Sequence, residues 1–351
     1  MAFSRPSGSN TFTPNFDATG MVVSATRNPD QFALADYMQY VNVSERVFYY
    51  ARLDLDEPAR IENTQMFQWA PGQEAPSYNG IGSFAFVQDS TAKYAYPWVL
   101  PQEAIDQAAW DLESSQMGIV QSKCMTNRTI LGSSILQTSS NWPSSNTDTV
   151  NNLNAGAGKW DTASSDPASA NYLAIRKSLV AAMTKSILYT NATMKWKDFV
   201  CVISPTMANK MGNTSELYNY VKGSPDAQSR QKGDVMTGSY NAPPTYANVK
   251  LVVEDAVRVT SHQTVAPTTA SPGTRGWVWT DSVPVLLSRK GGLQAQYGGN
   301  SLSTVQMYFY REAVVYTKSD PDNERQMGRV VDDFKTVLAF PQSGFCMTGA
   351  L

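Results

Sequence analysis

The sequence predicts an α+β chain, and three observations carry that expectation. Residues 101–136, PQEAIDQAAWDLESSQMGIVQSKCMTNRTILGSSIL, space their apolar positions as a long helix does. VQMYFYREAVVYTK and GRVVDDFKTVLAF, joined by SDPDNERQM, read as two long strands of one hairpin. Between these regions, residues 160–290 mix helices with short apolar strands, an α+β or α/β arrangement.

With 351 residues, 42% of them hydrophobic and 11% aromatic, the chain can fill about two ordinary domains. Charged residues make up 17% and the net charge is −2, which gives no global attraction to nucleic acid or anionic lipid. No run approaches the roughly 18 apolar residues of a membrane span, and the start MAFSRPSGSN lacks the apolar region of a secretory signal, so a soluble protein made inside the cell is expected. Cys124, Cys201 and Cys346 are odd in number and far apart, and are expected as small, semi-buried hydrophobes in a reducing compartment.

Residues 1–44 carry turn formers and short apolar stretches such as FALADYMQYV. Arg5 and Arg27 stand against Asp17, Asp30 and Asp36, so this is no basic arm, and an extended arm lying on a neighbouring surface is expected. VFYYARLDLD (Val47 to Asp56) reads as a strand. EPARIENTQMFQWAPGQEAPSYNGIG then combines Pro58, Pro71, Pro76, Gly72, Gly80 and Gly82 with Met66, Phe67, Trp69 and Tyr78. So long an irregular stretch is rare in a compact domain unless it has a function, and its aromatic residues need a partner surface. FAFVQDSTAKYAYPWVL returns the chain as extended structure.

The helix that follows is expected as one piece from near Pro101, about 30 residues and about 45 Å long, with a bend at Gly118 or Gly132. SSNWPSSNTDTVNNLNAGAGKW reads as a flexible boundary. Asp166-Pro167 is expected to start a second helix through DPASANYLAIRKSLVAAMTKSILY. DFVCVIS is a buried strand, Ser204-Pro205 caps the helix PTMANKMGNTSELYNYVKG, and LVVEDAVRV and WVWTDSVPVLL are strands, the latter interrupted by Pro284. In the closing hairpin, Val330, Phe334, Thr336, Leu338 and Phe340 are expected on the dry face and Arg329, Asp333 and Lys335 in water.

The inventory of chemistry is empty. The chain has one histidine, His262, in a polar Pro-rich loop, and no G-x-S-x-G elbow. AGAGKWD (Ala155 to Asp161) lacks the first glycine of a phosphate loop and has Trp160 where a Ser or Thr would hold magnesium. Asp54/Asp56, Glu254/Asp255 and Asp332/Asp333 read as surface charge, since adjacent strand residues point to opposite faces. Asn-x-Ser/Thr at Asn42, Asn127, Asn191 and Asn213 carries no meaning without a secretion signal. No enzyme activity, cofactor or metal is expected.

From Phe67 onward the order of elements resembles the Hong Kong 97-type major capsid proteins of tailed phages. WAPGQEAPSYNG, AKYAYPWVLPQEAIDQA and the helix ending in ILQTSSNW are similar to that family's extended-loop tip, returning strand and spine helix. GKWDTASSDPASANYLAIRKSLVAAM is similar to its linker into the axial domain, and LVVEDAVRV, WVWTDSVPVLL and the hairpin ending in PQSGFCMTG resemble its late axial strands and returning peripheral domain. The resemblance implies an N-terminal arm (1–44), an extended loop with flanking strands (45–100), a spine helix of the peripheral domain (101–140), an α/β axial domain (141–300) and a returning peripheral hairpin (301–351). It also implies a structural protein that self-assembles into pentamers and hexamers of an icosahedral or prolate head. That head encloses double-stranded DNA without reading its sequence and is built in the host cytoplasm as part of a virion. Separate scaffolding, portal and decoration proteins are the implied partners, and no membrane is.

The family's extended loop lies on a neighbouring subunit, which makes Arg60, Met66, Phe67, Trp69, Glu74 and Tyr78 the expected inter-subunit contacts. Some members crosslink through a lysine of that loop, but residues 57–90 hold Arg60 and no lysine, with Lys93 on the returning strand, so no crosslink is expected. The alternative within the same fold is an encapsulin-like compartment. Outside it stand a tail-tube or adhesin protein and a hydrolase or transferase with a diverged site.

Overall fold

In the computed structural model, residues 12–27, 33–53, 84–190, 194–222, 242–261, 273–288 and 303–351 are described. The strands, numbered along the chain, begin with β1 (Thr13–Pro14), β2 (Gln39–Asn42), β3 (Val47–Leu53), β4 (Phe84–Ser90) and β5 (Ala92–Pro101). They continue with β6 (Thr147–Thr149), β7 (Phe199–Ile203), β8 (Thr245–Tyr246), β9 (Val249–Val253), β10 (Val257–Val259) and β11 (Arg275–Trp277). β12 (Val285–Ser288), β13 (Val305–Asp320), β14 (Arg325–Leu338) and β15 (Phe345–Thr348) complete them. The helices are α1 (Phe16–Thr26), α2 (Leu34–Tyr37), α3 (Gln102–Gln107), α4 (Leu112–Leu136), α5 (Val150–Leu153), α6 (Ala174–Tyr189), α7 (Pro205–Gly212) and α8 (Ser215–Lys222).

The alternating apolar pattern of residues 305–338 does form the expected hairpin, β13–β14. It anchors a five-stranded peripheral sheet in the order β1-β13-β14-β5, with β2 running parallel to β13 along the edge that β1 also uses. Register breaks between Phe309 and Val314 put a bulge in β13, where Ala313 takes a positive φ. One face of this sheet receives α1 and the long helix α4 through Ala18, Val22, Trp98, Leu100, Val120, Cys124, Val315 and Val330.

The second sheet is mixed and has the order β6-β15-β12-β7-β9-β8, with β7–β9 and β15–β6 parallel. Its centre, Phe199 to Ile203, is buried on both sides, as a continuous apolar run requires. Helices α6 and α7 cover one face with Ile175, Leu179, Met183, Met207 and Met211. The other face, with Val200, Val202, Val252, Val285 and Leu287, shares one core with α2, Trp279 and the dry side of the peripheral sheet. The two sheets are therefore joined through apolar packing around Leu34, Tyr37 and Met38.

Several local expectations need correction. Residues 12–27 and 33–43 are not drawn out as one extended arm: α1, α2, β1 and β2 pack on their own chain, because Ala18, Val22, Leu34, Tyr37 and Met38 supply an apolar side to bury. The long helix is two helices, broken at Ala108–Asp111, where the Asp111 carboxylate accepts the Ser114 amide at 3.1 Å and caps α4. Residues 166–172 form turns, and α6 starts only at Ala174, after Leu173 in the left-handed region. Asn213 and Thr214 divide α7 from α8, while Ser204 caps α7 as expected. LVVEDAVRV splits between β9 and β10, which belong to different sheets, and the second aromatic run splits between β11 and β12. Finally, Phe345 to Thr348 leave the peripheral hairpin and lie between β6 and β12 in the other sheet, since Phe345 and Met347 fill its core.

Candidate inter-subunit surface

Two elements depart from ordinary core packing: the ribbon β3–β4 and the clamp that holds α4 to the peripheral sheet. The ribbon pairs Val47 with Ser90 through Leu53 with Phe84, so the chain leaves and returns around residues 54–83 on antiparallel strands. Alternation along it separates two faces. Phe48 and Tyr50 are buried against Tyr308 and Val337, and the Phe48 and Tyr308 rings stack at 4.3 Å. On the opposite face Val47, Tyr49 and Phe86 are exposed, Tyr49 at 63% and Phe86 at 66%. A two-stranded ribbon is marginal in water by itself, and among the described residues only one of its faces joins a buried cluster.

Ion pairs fix the root of the ribbon. Arg46 Nε lies 3.1 Å from Asp333 Oδ2, and Lys335 Nζ lies 3.2 Å from Asp89 Oδ1. Asp333 is wholly buried beneath Arg46, although it was expected in water with Lys335. The face of β14 that carries it is roofed by the ribbon where Phe48 and Tyr50 meet Tyr308 and Val337. The amphipathic reading of residues 325–338 had no means of seeing that roof.

Asp332 is also buried, against the same expectation of surface charge. The Arg128 guanidinium of α4 donates to both its oxygens, at 2.7 and 2.9 Å, and the Cys124 thiol donates to Oδ2 at 3.2 Å. The bulge in β13 turns the Ala313 amide onto Asp332 Oδ1 at 3.2 Å and brings Glu312 within 3.6 Å of Arg128. Glu312 also pairs with Arg27 beyond α1. Arg128 lies over the Phe309 ring at 4.5 Å. Burial works against the Arg128 charge, but Asp332 outweighs it and the group stays firmly protonated. Burial, partly offset by Arg128, pushes the Cys124 thiol far up, so it is inert.

The remaining candidates resolve as structure. Ala155–Asp161 forms a fixed turn, with Gly156 and Gly158 at positive φ, in place of the expected flexible linker. Trp160 is fully buried and donates through Nε1 to Ser178 Oγ at 2.7 Å, and Lys159 Nζ donates to the Leu351 carbonyl at 2.8 Å. The first amides of α6, at Ile175 and Arg176, donate to the Glu216 carboxylate at 3.1 and 2.9 Å, so an anion finds that helix end taken. Glu254 too is buried, its carboxylate accepting from the Tyr37 hydroxyl. All three cysteines are free and buried. Among the described residues no group of histidine, cysteine and acidic side chains is placed to hold a metal, and no helix is long and apolar enough to cross a membrane. Arg60, Met66, Phe67, Trp69, Glu74, Tyr78 and His262 lie outside the described residues.

No protein-family model and no curated protein matches the sequence. Its likeness to solved structures is nonetheless extensive, and the fold is that of phage capsid subunits. A phage-related protein from Bordetella bronchiseptica RB50 superposes with a TM-score of 0.59 at 12% identity, over 97% of this chain and 99% of that one. The mature capsid of bacteriophage PhiM1 matches with a TM-score of 0.51 at 8% identity, over 99% and 90%. The capsid of the cyanophage P-SCSP1u matches with a TM-score of 0.51 at 10% identity, over 99% and 92%. The capsid-type α+β fold implied by the resemblance is the fold this chain has.

Proposed function

We propose that this chain is the major capsid protein of a tailed phage, a structural subunit that assembles with its own copies into pentamers and hexamers around double-stranded DNA and catalyses nothing. The observation that carries the reading is the ribbon β3–β4, built on a fold shared almost end to end with capsid subunits. Its inner face is fastened by Phe48, Tyr50, Arg46 and Asp89, and its outer face offers Val47 and Tyr49 to another surface. A second copy supplies that surface, and residues 54–83, with Arg60, Met66, Phe67, Trp69, Glu74 and Tyr78, extend the contact. Many such contacts, each modest, sum to a stable closed shell.

Electron microscopy of the expressed full chain tests this reading. Closed shells are expected from the unaltered chain. Replacing residues 56–81 by a short Gly-Ser turn is expected to leave a folded subunit that builds none. Tubes, isolated monomers, or normal shells from the shortened chain would overturn the assignment. Particles filled with a protein cargo and lacking DNA when isolated from infected cells would point to a compartment on the same fold. Boiling in detergent is expected to release one band at 38.5 kDa, in keeping with a loop that has no lysine to crosslink.

A further inference from the structure

The core that joins the two sheets contains a buried acid that, among the described residues, has no cation for a partner. Glu254, just after β9, is 3% exposed, and its carboxylate accepts from the Tyr37 hydroxyl of α2 at 2.8 Å and from the Ala256 amide. The charged and titratable groups around it are few. On α2, Asp36 is taken up in an ion pair with Lys250 of β9. Asp255, next in the chain, has the same sign as Glu254, and Tyr40 of β2 lies behind Tyr37. From β7 comes only the Ile203 carbonyl, which accepts the Glu254 amide at 2.9 Å. Tyr37 stands edge-on to Trp279, with ring centres 6.4 Å apart, and with Leu34 and Met38 fills the core between the sheets.

A carboxylate sealed in such surroundings is costly to ionise, because neutral donors replace only part of its hydration. We infer that Glu254 and Tyr37 form a proton-operated clasp, which holds residues 33–38 on the six-stranded sheet while Glu254 keeps its proton and loosens as that proton is lost. Burial pushes the Glu254 carboxyl up to about 7, and the Tyr37 and Ala256 hydrogen bonds pull it partly back. The sign follows from linkage. An acid whose folded pKa is raised contributes its full stability below the unfolded value, about 4.5, and loses it as the pH climbs through the folded value, about 7. The inference rests on the fold and is independent of the shell reading.

Hydrogen exchange of the full chain, followed by mass spectrometry and corrected for the intrinsic rate at each pH, tests it. The Met38 amide, bonded to the Leu34 carbonyl at 3.0 Å, is the reporter, and the β13–β14 amides are the internal reference. Between pH 5.5 and 8.5 protection of residues 33–38 should fall about thirtyfold relative to that reference. Glu254→Gln, which keeps an acceptor and cannot ionise, should hold protection constant across the range. Tyr37→Phe, which removes a donor to the ionised form, should move the transition to higher pH. Protection of the unaltered chain that does not change with pH would overturn the clasp. So would a Glu254→Gln protein that retains the fall, or a Tyr37→Phe transition that stays in place or moves down.

Discussion

The chain contains two long antiparallel ribbons, and they are used in opposite ways. β13–β14 lies at the centre of its sheet, with neighbours along both edges and cover over most of both faces from Val330 to Leu338. β3–β4 has no third strand among the described residues and buries one face only. Both are rich in aromatic and β-branched residues, so local sequence does not separate a core ribbon from a presented one. What separates them is the supply of partners. The first has α4, β2 and β5 within its own chain; the second has, among the described residues, one buried patch around Tyr308 and Val337, while Val47 and Tyr49 on its other face are exposed.

This contrast can be broken from the buried side first. Arg128→Ala leaves Asp332 charged and unpaired between α4 and β14, and a loss of about 3–5 kcal/mol in denaturant unfolding is expected. A smaller change to the same ribbon is Gly328→Ala. A β-carbon there would stand 2.1 Å from the Trp98 indole, which has little room to move, so about 1–3 kcal/mol should be lost, read from the unfolding midpoint. On the presented ribbon, Tyr49→Ser should change subunit stability by no more than about 0.5 kcal/mol while shell yield collapses, a split that sedimentation can read. The smallest effect belongs to Lys335→Ala at the ribbon's root, about 0.2–1 kcal/mol, because its pair with Asp89 is partly exposed to solvent. Equal losses from the Tyr49 and Arg128 changes would erase the distinction between the two ribbons.

Much of the fold was legible where one period ran through a long segment. The hairpin of residues 305–338, the body of α4 and the buried strand at Phe199–Ile203 all announce themselves that way. Breaks inside such patterns are not visible: Ala108 and Ala109 continue a helical stripe that the chain abandons. Adjacent acids look like surface charge, and only the fold reveals that Asp332 meets Arg128 and that Asp333 meets Arg46. No local signal tells residues 345–348 which sheet to join. Of the proposed contact surface, the sequence points to residues 60–78 and gives no sign of the anchoring role of Phe48, Tyr50 and Arg46. Their role depends on Tyr308 and Asp333, which lie far along the chain.

The position of β15 has a consequence for biosynthesis. It lies inside the six-stranded sheet, between β12 and β6, while β13 and β14 just before it complete the peripheral one. The peripheral sheet cannot close until translation has passed Leu338, nor the six-stranded sheet until it has passed Thr348, so both are dominated by late, long-range pairings. A polypeptide terminated before β15 would leave the β12 edge bare and the space of Phe345 and Met347 empty. Truncated products would then be unable to enter an assembly as well-folded members and would be left to proteolysis.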